Sequence, residues 1–150
     1  RYGEDFGIPA VAISLPDSVS KLEQRTMHEN LIHDTLMNYD IELVVLSGYM
    51  RILTSTFVSK WKGRLINIHP SLLPKYPGAN AHRDALADGA NITGCTVHLV
   101  DEGVDTGEII AQEEVEILDG DTIEELQERV KKIEHQLYPK VLDTFCSKGV

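Results

Sequence analysis

The sequence predicts an α/β fold with a mainly parallel sheet flanked by helices. Strand-like and helix-like segments alternate along the 150 residues. Leu43-Val44-Val45-Leu46 is a continuous apolar run between Asp40 and Gly48, which suits a parallel strand covered on both faces. Leu65-Ile66-Asn67-Ile68 is a further strand, and it carries Asn67 and His69, two residues apart and on one side, to its C-terminal end. Open α/β sheets bind ligands at that end.

The elements follow in order. Pro9 to Ile13 reads as a short strand. Ser20 and Glu23 have capping-box spacing, and Leu22, Leu31, Ile32 and Leu36 follow at helical intervals. Thr54 is placed to cap a short helix through Trp61, and Ala81 to Ala87 reads as a helix closed by Gly89. Cys95, Val97 and Leu99 alternate with Thr96 and His98, giving a strand with two unlike faces. Glu108 to Ile117 reads as another strand, partly exposed because of Glu113, Glu114 and Glu116. Asp121 and Glu124 then open a long helix with the seam Leu126, Val130, Ile133, Leu137 and Val141, which Pro139 is expected to bend or interrupt.

A chain of this length buries one substantial core, so residues 1–150 are expected to form one domain. No apolar run approaches the roughly 18–20 residues that span a bilayer, and no basic-then-apolar secretion signal opens the chain. A net charge of −10 argues against nonspecific nucleic-acid binding and against anionic membrane surfaces. Cys95 and Cys146 have neither metal-ligand nor disulfide-framework spacing and are expected to be free, reduced thiols of a cytoplasmic protein. In that setting the Asn91-Ile92-Thr93 sequon is accidental.

Asn67, His69 and Asp105 form the constellation that carries chemistry. Asp105 lies in the polar turn Asp101-Glu102-Gly103-Val104-Asp105-Thr106-Gly107, between two strand-like runs. An amide N–H and an imidazole N–H are directional donors to an oxyanion, and a carboxylate can move a proton or hold the imidazole in its donating form. Such a set needs no metal and no thiol nucleophile. Taken singly, Asn67 equally reads as a turn former, His69 as a strand-end residue and Asp105 as a turn residue.

Several motifs in one order resemble the folate-dependent formyltransferases, above all the branch acting on glycinamide ribonucleotide. They are Leu46-Ser47-Gly48-Tyr49-Met50-Arg51-Ile52-Leu53, Asn67 to Pro74, Pro77-Gly78-Ala79-Asn80-Ala81-His82, Thr93 to His98, Asp101 to Gly107, and Glu134-His135. The resemblance implies a Rossmann-like formyltransferase fold. It implies formyl transfer from 10-formyltetrahydrofolate, a cosubstrate, to the amine of glycinamide ribonucleotide in purine synthesis, without a metal. It makes Asn67, His69 and Asp105 the catalytic trio. It places Met50, Arg51, Ile52 and Leu53, beside Val58, along the folate, with the backbone of Asp101, Glu102, Gly103 and Val104 around the pterin. Arg25 is expected near the folate tail and the substrate phosphate. Gly48, Pro70, Gly78, Lys131 and Glu134 are assigned to the ribonucleotide. The plain reading of Lys131 and Glu134 is a surface i,i+3 pair, and His82, His98 and His135 are expected to be structural.

Related activities divide at two places. Formyltetrahydrofolate hydrolases usually carry His-His-Ser where this chain has His69-Pro70-Ser71, and methionyl-tRNA and sugar-nucleotide formyltransferases differ over Pro77 to His82. Asn80 stands where some family members carry histidine. Homodimerisation and fusion to other purine-pathway domains are both expected modes of assembly. A complete family member begins with a strand and a Gly/Ser/Asn phosphate loop that this chain does not show. Residues 1–150 alone are therefore expected to bind folate weakly, to bind the ribonucleotide worse and to associate, and an inert, partner-dependent fragment is the non-enzymatic alternative.

Overall fold

Where the apolar runs find hydrogen-bonding neighbours decides which of them become strands. The computed structural model describes residues 1–18 and 20–149. The chain divides into two compact units, Arg1–Ile41 and Glu42–Val150.

The first unit contains helices α1 (Tyr2–Asp5) and α2 (Lys21–Asn38). The strand expected over residues 9–13 does not form. An isolated extended segment has nothing to complete a ladder, and this unit has no strand among the described residues. Side chains of α2 meet part of the backbone demand instead: His28 Nε2 lies 3.0 Å from the Ile13 carbonyl and Gln24 Nε2 donates to Pro16 O at 2.9 Å. Ser20 caps α2 as expected, accepting from Glu23 N–H at 3.2 Å. The Glu23 carboxylate, however, accepts from the Ser20 hydroxyl rather than from its backbone, so the capping box is half made. Leu22 and Leu31 are exposed, and Ile8, Pro9, Ile32 and Leu36 border an open apolar groove of about 430 Å³.

The second unit is a four-stranded sheet, β1 (Val44–Val45), β2 (Leu65–His69), β3 (Ile92–Leu99) and β4 (Ile109–Glu116), in that spatial order. Helices α3 (Ser55–Lys60), α4 (Ala81–Ala87) and α5 (Ile123–Ser147) accompany it. Among the described residues only β1 and β2 pair in parallel; β2–β3 and β3–β4 are antiparallel. The sheet is thus mixed rather than mainly parallel. The connection from β3 to β4 is a short polar turn, which suits an antiparallel pair and is too short for a parallel crossover. β1 is an edge strand with Val45 exposed, so its apolar run is not covered on both faces.

α3 is capped by Thr54, whose hydroxyl accepts from Phe57 N–H at 3.3 Å, and it ends at Trp61 as expected. Gly89 follows α4 with φ +67°, a conformation that costs a glycine little. β3 does have unlike faces, but both are buried. Cys95 and Val97 pack towards the α5 residues Leu126, Val130 and Tyr138. On the other face, Thr96 and His98 are buried with polar partners. α5 begins one residue later than expected. Thr122 and Glu125 make the complete capping box, while Asp121 accepts from Leu118 N–H and forms a two-point pair with Arg129 at 2.6 and 2.8 Å. Burial along α5 confirms the expected seam, and the helix runs unbroken through Pro139. No helix among the described residues is long and apolar enough to cross a membrane.

Candidate active site

β2 positions the first two residues of the site. Its alternation sends Leu65 and His69 to one face with Asn67 between them in the same row, while Ile66 joins the core under α5. In register, Asn67 lies opposite His98 and His69 opposite Thr96. The turn carrying Asp105 leaves β3 beside the start of β2, where Val100 N–H donates to Leu65 O at 2.8 Å. It must therefore fold back along β2 to bring Asp105 to His69. Two devices shape it. Asp101 Oδ1 accepts from Gly103 N–H at 2.9 Å and from the Thr106 hydroxyl at 2.7 Å. Gly107 lies against Leu99, where a Cβ would come within 1.7 Å of the carbonyl oxygen. A register shift beside His98 adds a local bulge at the same end of β3.

The charge-handling groups converge tightly. Asp105 adopts φ +54°, and its Oδ2 accepts from Gly78 N–H at 2.8 Å and lies 3.3 Å from His69 Nδ1. His69 is 5% exposed, and its Nε2 lies 2.8 Å from the Tyr76 carbonyl. A carbonyl can only accept, so Nε2 carries a proton and Nδ1 is left facing the carboxylate. His98 is also buried, with Nδ1 2.9 Å from Leu99 O and Nε2 3.7 Å from Asp105 Oδ1, beyond hydrogen-bond reach. The Asn67 carboxamide makes no hydrogen bond among the described residues and borders the cleft. Its donors are free for a ligand.

Two connected recesses meet at Asn67 and Asp105. The smaller, about 120 Å³, is bordered by Arg51, Ile52, Leu53 and Val58 on one side and by Asp101, Gly103 and Val104 on the other. The larger, about 720 Å³, is bordered by Gly48, Met50, Pro70, Gly78, Glu134, His135 and Tyr138. Three expected site residues border neither. Glu102 is exposed in the turn. Lys131 is exposed and lies 3.9 Å from Glu128, although its charge still acts on Glu134. Arg25 belongs to the first unit, exposed on α2.

Burial raises the Glu134 carboxyl above the ordinary glutamate range, with the charges of His135 and Lys131 opposing the shift. Burial, and then the charge of His69, lowers the His82 imidazole, which keeps a second positive charge away from the trio. Among the described residues no group of three His, Cys, Asp or Glu side chains is placed to hold a metal ion.

Residue reading alone missed the part played by Tyr138 and by the Tyr76 carbonyl. Tyr138 is buried; its hydroxyl donates to Leu46 O at 2.7 Å and lies 3.2 Å from Ile66 O, tying α5 to the end of β1 and the start of β2. Glu134, His135, Tyr138 and Pro139 recur at i, i+1, i+4 and i+5, a second helical face that was available as a signal. A backbone carbonyl such as that of Tyr76 leaves no trace in residue identity.

The formyl transferase family model matches residues 1–142. The chain is 51% identical over 140 residues to the trifunctional purine biosynthetic protein adenosine-3 of Chironomus tentans, covering 93% of this chain and 10% of that protein. It is 44% identical to phosphoribosylglycinamide formyltransferase of Bacillus subtilis, over 93% of this chain and 69% of the relative. The crystal structure of phosphoribosylglycinamide formyltransferase from Bacillus halodurans superposes with a TM-score of 0.87 at 41% identity, covering 98% of this chain and 74% of that one. The chain thus spans about a tenth of the fused relative and over two thirds of the bacterial one. With the mixed sheet, its flanking helices and the Asn67–His69–Asp105 cluster all present, the chain belongs to the formyl transferase family.

Proposed function

We propose that this chain transfers a formyl group from 10-formyltetrahydrofolate to the amine of glycinamide ribonucleotide; its bacterial relatives are named phosphoribosylglycinamide formyltransferases. The observation that carries the proposal is the meeting of Asn67, His69 and Asp105 where two unlike recesses join. The smaller recess has apolar walls facing loop backbone, which suits a flat heterocycle with polar edges. The larger offers Glu134, a hydrogen-bond acceptor for sugar hydroxyls. A formyl carbon held at the junction lies within the field of all three residues.

Each residue then has a role set by its surroundings. Asn67, free of hydrogen-bond partners among the described residues, donates an amide N–H to the oxygen on which charge develops during acyl transfer. Tyr76 occupies His69 Nε2, so Nδ1 is the atom left to face the developing oxyanion, to which it donates when it is protonated as well as Nε2. Asp105 takes the proton lost by the attacking amine and passes it to the departing folate nitrogen as the carbon–nitrogen bond breaks, while the Gly78 N–H holds its carboxylate in place. The family match crosses both units, which supports reading residues 1–150 as one formyltransferase domain. The free Cys95 and Cys146 support a cytoplasmic setting. The chemistry can serve a stand-alone enzyme, as in the Bacillus subtilis relative, or a fused one, as in the Chironomus relative.

The deciding experiment offers the full-length protein 10-formyltetrahydrofolate with glycinamide ribonucleotide, with methionyl-tRNA, or with water alone. Rapid formylation of the ribonucleotide is expected, with Pro70 in place of the hydrolase histidine. Rapid release of formate without an amine acceptor would replace this reading with the hydrolase one.

A further inference from the structure

A row of polar residues crosses the sheet beside the site. Register pairs His69 on β2 with Thr96 on β3, and Thr96 with Gln112 on β4. Among the described residues Thr96 and Gln112 make no hydrogen bond to the His69 ring; they hold the loop that follows it. The buried Thr96 hydroxyl donates to Ser71 O at 2.7 Å and accepts from Leu73 N–H at 3.1 Å. Gln112 Nε2 donates to Leu73 O and to Thr96 Oγ1, both at 2.9 Å. Ser71, fully buried, carries the restraint onward: its hydroxyl lies 2.5 Å from Lys75 O and 3.4 Å from Tyr76 O. Tyr76, at φ +52°, presents that same carbonyl to His69 Nε2.

We propose that Thr96 and Gln112 are positioning residues that set the tautomer of His69, by bracing the loop that presents the Tyr76 carbonyl. The physical reason is a competition between two acceptors, the Tyr76 carbonyl 2.8 Å from Nε2 and the Asp105 carboxylate 3.3 Å from Nδ1. Neutral imidazole carries one N–H, and the acceptor held closer selects the nitrogen that keeps it. Tyr76 sits in a left-handed conformation that a non-glycine residue keeps only when its surroundings enforce it. With the brace removed, that carbonyl turns away, Nε2–H loses its acceptor, and the proton redistributes towards Nδ1 and Asp105. Gln112 is informative because it lies on an exposed edge strand, yet its amide is spent on a loop 39 positions away in sequence. The catalytic consequence rests on the formyl-transfer reading above; the effect on the tautomer does not.

The test uses the full-length protein with ¹⁵N-labelled histidine, and a His69→Gln variant assigns the His69 resonances. Long-range ¹H–¹⁵N spectra report the tautomer. Thr96→Val and Gln112→Met are expected to shift His69 away from the Nε2–H tautomer. They should lower kcat by about 10- to 100-fold, as misplacement of a reacting group does, with KM for the folate little changed. Thr96→Ser, which keeps the hydroxyl, should restore both readouts. An unchanged His69 tautomer in folded Gln112→Met overturns the inference, even with Thr96→Val unfolded, and leaves the formyl-transfer reading standing. A shifted tautomer in a protein without formyl transfer upholds the inference and removes the proposed reaction.

Discussion

The two sides of the cleft are built differently. The side that handles charge is buried and cross-braced: His69 is 5% exposed and held at both nitrogens, and Asp105 accepts from Gly78 N–H. The side assigned to the folate is open, with Met50 78%, Ile52 63% and Val104 51% exposed. Proton and oxyanion chemistry depends on sub-ångström placement, so the fold supplies that geometry before any ligand arrives. Apolar contact with a flat ring tolerates looser walls, and exposed loops can order around the ring at modest entropic cost.

The strongest way to break this contrast is to remove a charge-handling side chain. Asn67→Ala, His69→Ala and Asp105→Ala are each expected to lower kcat by about 10²–10³ or more, because each acts on charge appearing in the transition state. Folate affinity should hardly change, since the ring is assigned to the other side. Near-normal turnover in a variant, measured at saturating substrates, would take that residue out of the mechanism.

Hydrogen exchange tests the contrast directly. The amides of residues 50–53 and 101–105 should exchange quickly in the empty protein and slow on binding a 5-deaza-folate analogue. The Leu73 amide, bonded to Thr96 Oγ1 in the empty fold, should be protected throughout. Equal protection of all three segments before ligand is added would abolish the distinction between a rigid side and an open one.

A smaller effect, away from the cleft, sharpens the comparison. Pairing with Arg129 lowers the Asp121 carboxyl to about 2, from its ordinary 3.8. A carboxyl depressed in the folded state stabilises fully above its unfolded pKa, and that stabilisation fades as pH falls from about 4 to about 2. Asp121→Asn should therefore lower Tm at neutral pH and flatten its fall across that acid window, with kcat at neutral pH unaltered. A Tm profile parallel to wild type from pH 6 down to 2 would mean the pair contributes nothing through protonation.

Much of the fold and the trio were legible in the sequence, and for a common reason. Periodicity, caps and strand-end polar residues are local signals, so β2, α3, α4, the α5 seam and the placement of Asn67 and His69 on one side of β2 could be read directly. The helix cap at Thr122 was missed by one residue because Asp121 and Thr122 both have capping chemistry, and the Arg129 ion pair claims Asp121. What is not local could not be read in this way. Residues 9–13 have strand composition, but a ladder partner decides whether a strand exists. Lys131 shares a helix with Glu134, but only the packing of α5 turns Glu134 to the cleft and leaves Lys131 with Glu128.

The sequence by itself determined that an amide, an imidazole and a carboxylate stand at Asn67, His69 and Asp105, and which segments carry them. Tertiary structure alone decided the antiparallel pairing, the fold-back of the Asp105 turn along β2 that it makes necessary, and the Tyr76 carbonyl that faces His69 Nε2. Both depend on contacts between positions distant in the chain and, for the carbonyl, on an atom that every residue possesses. Composition and periodicity encode neither.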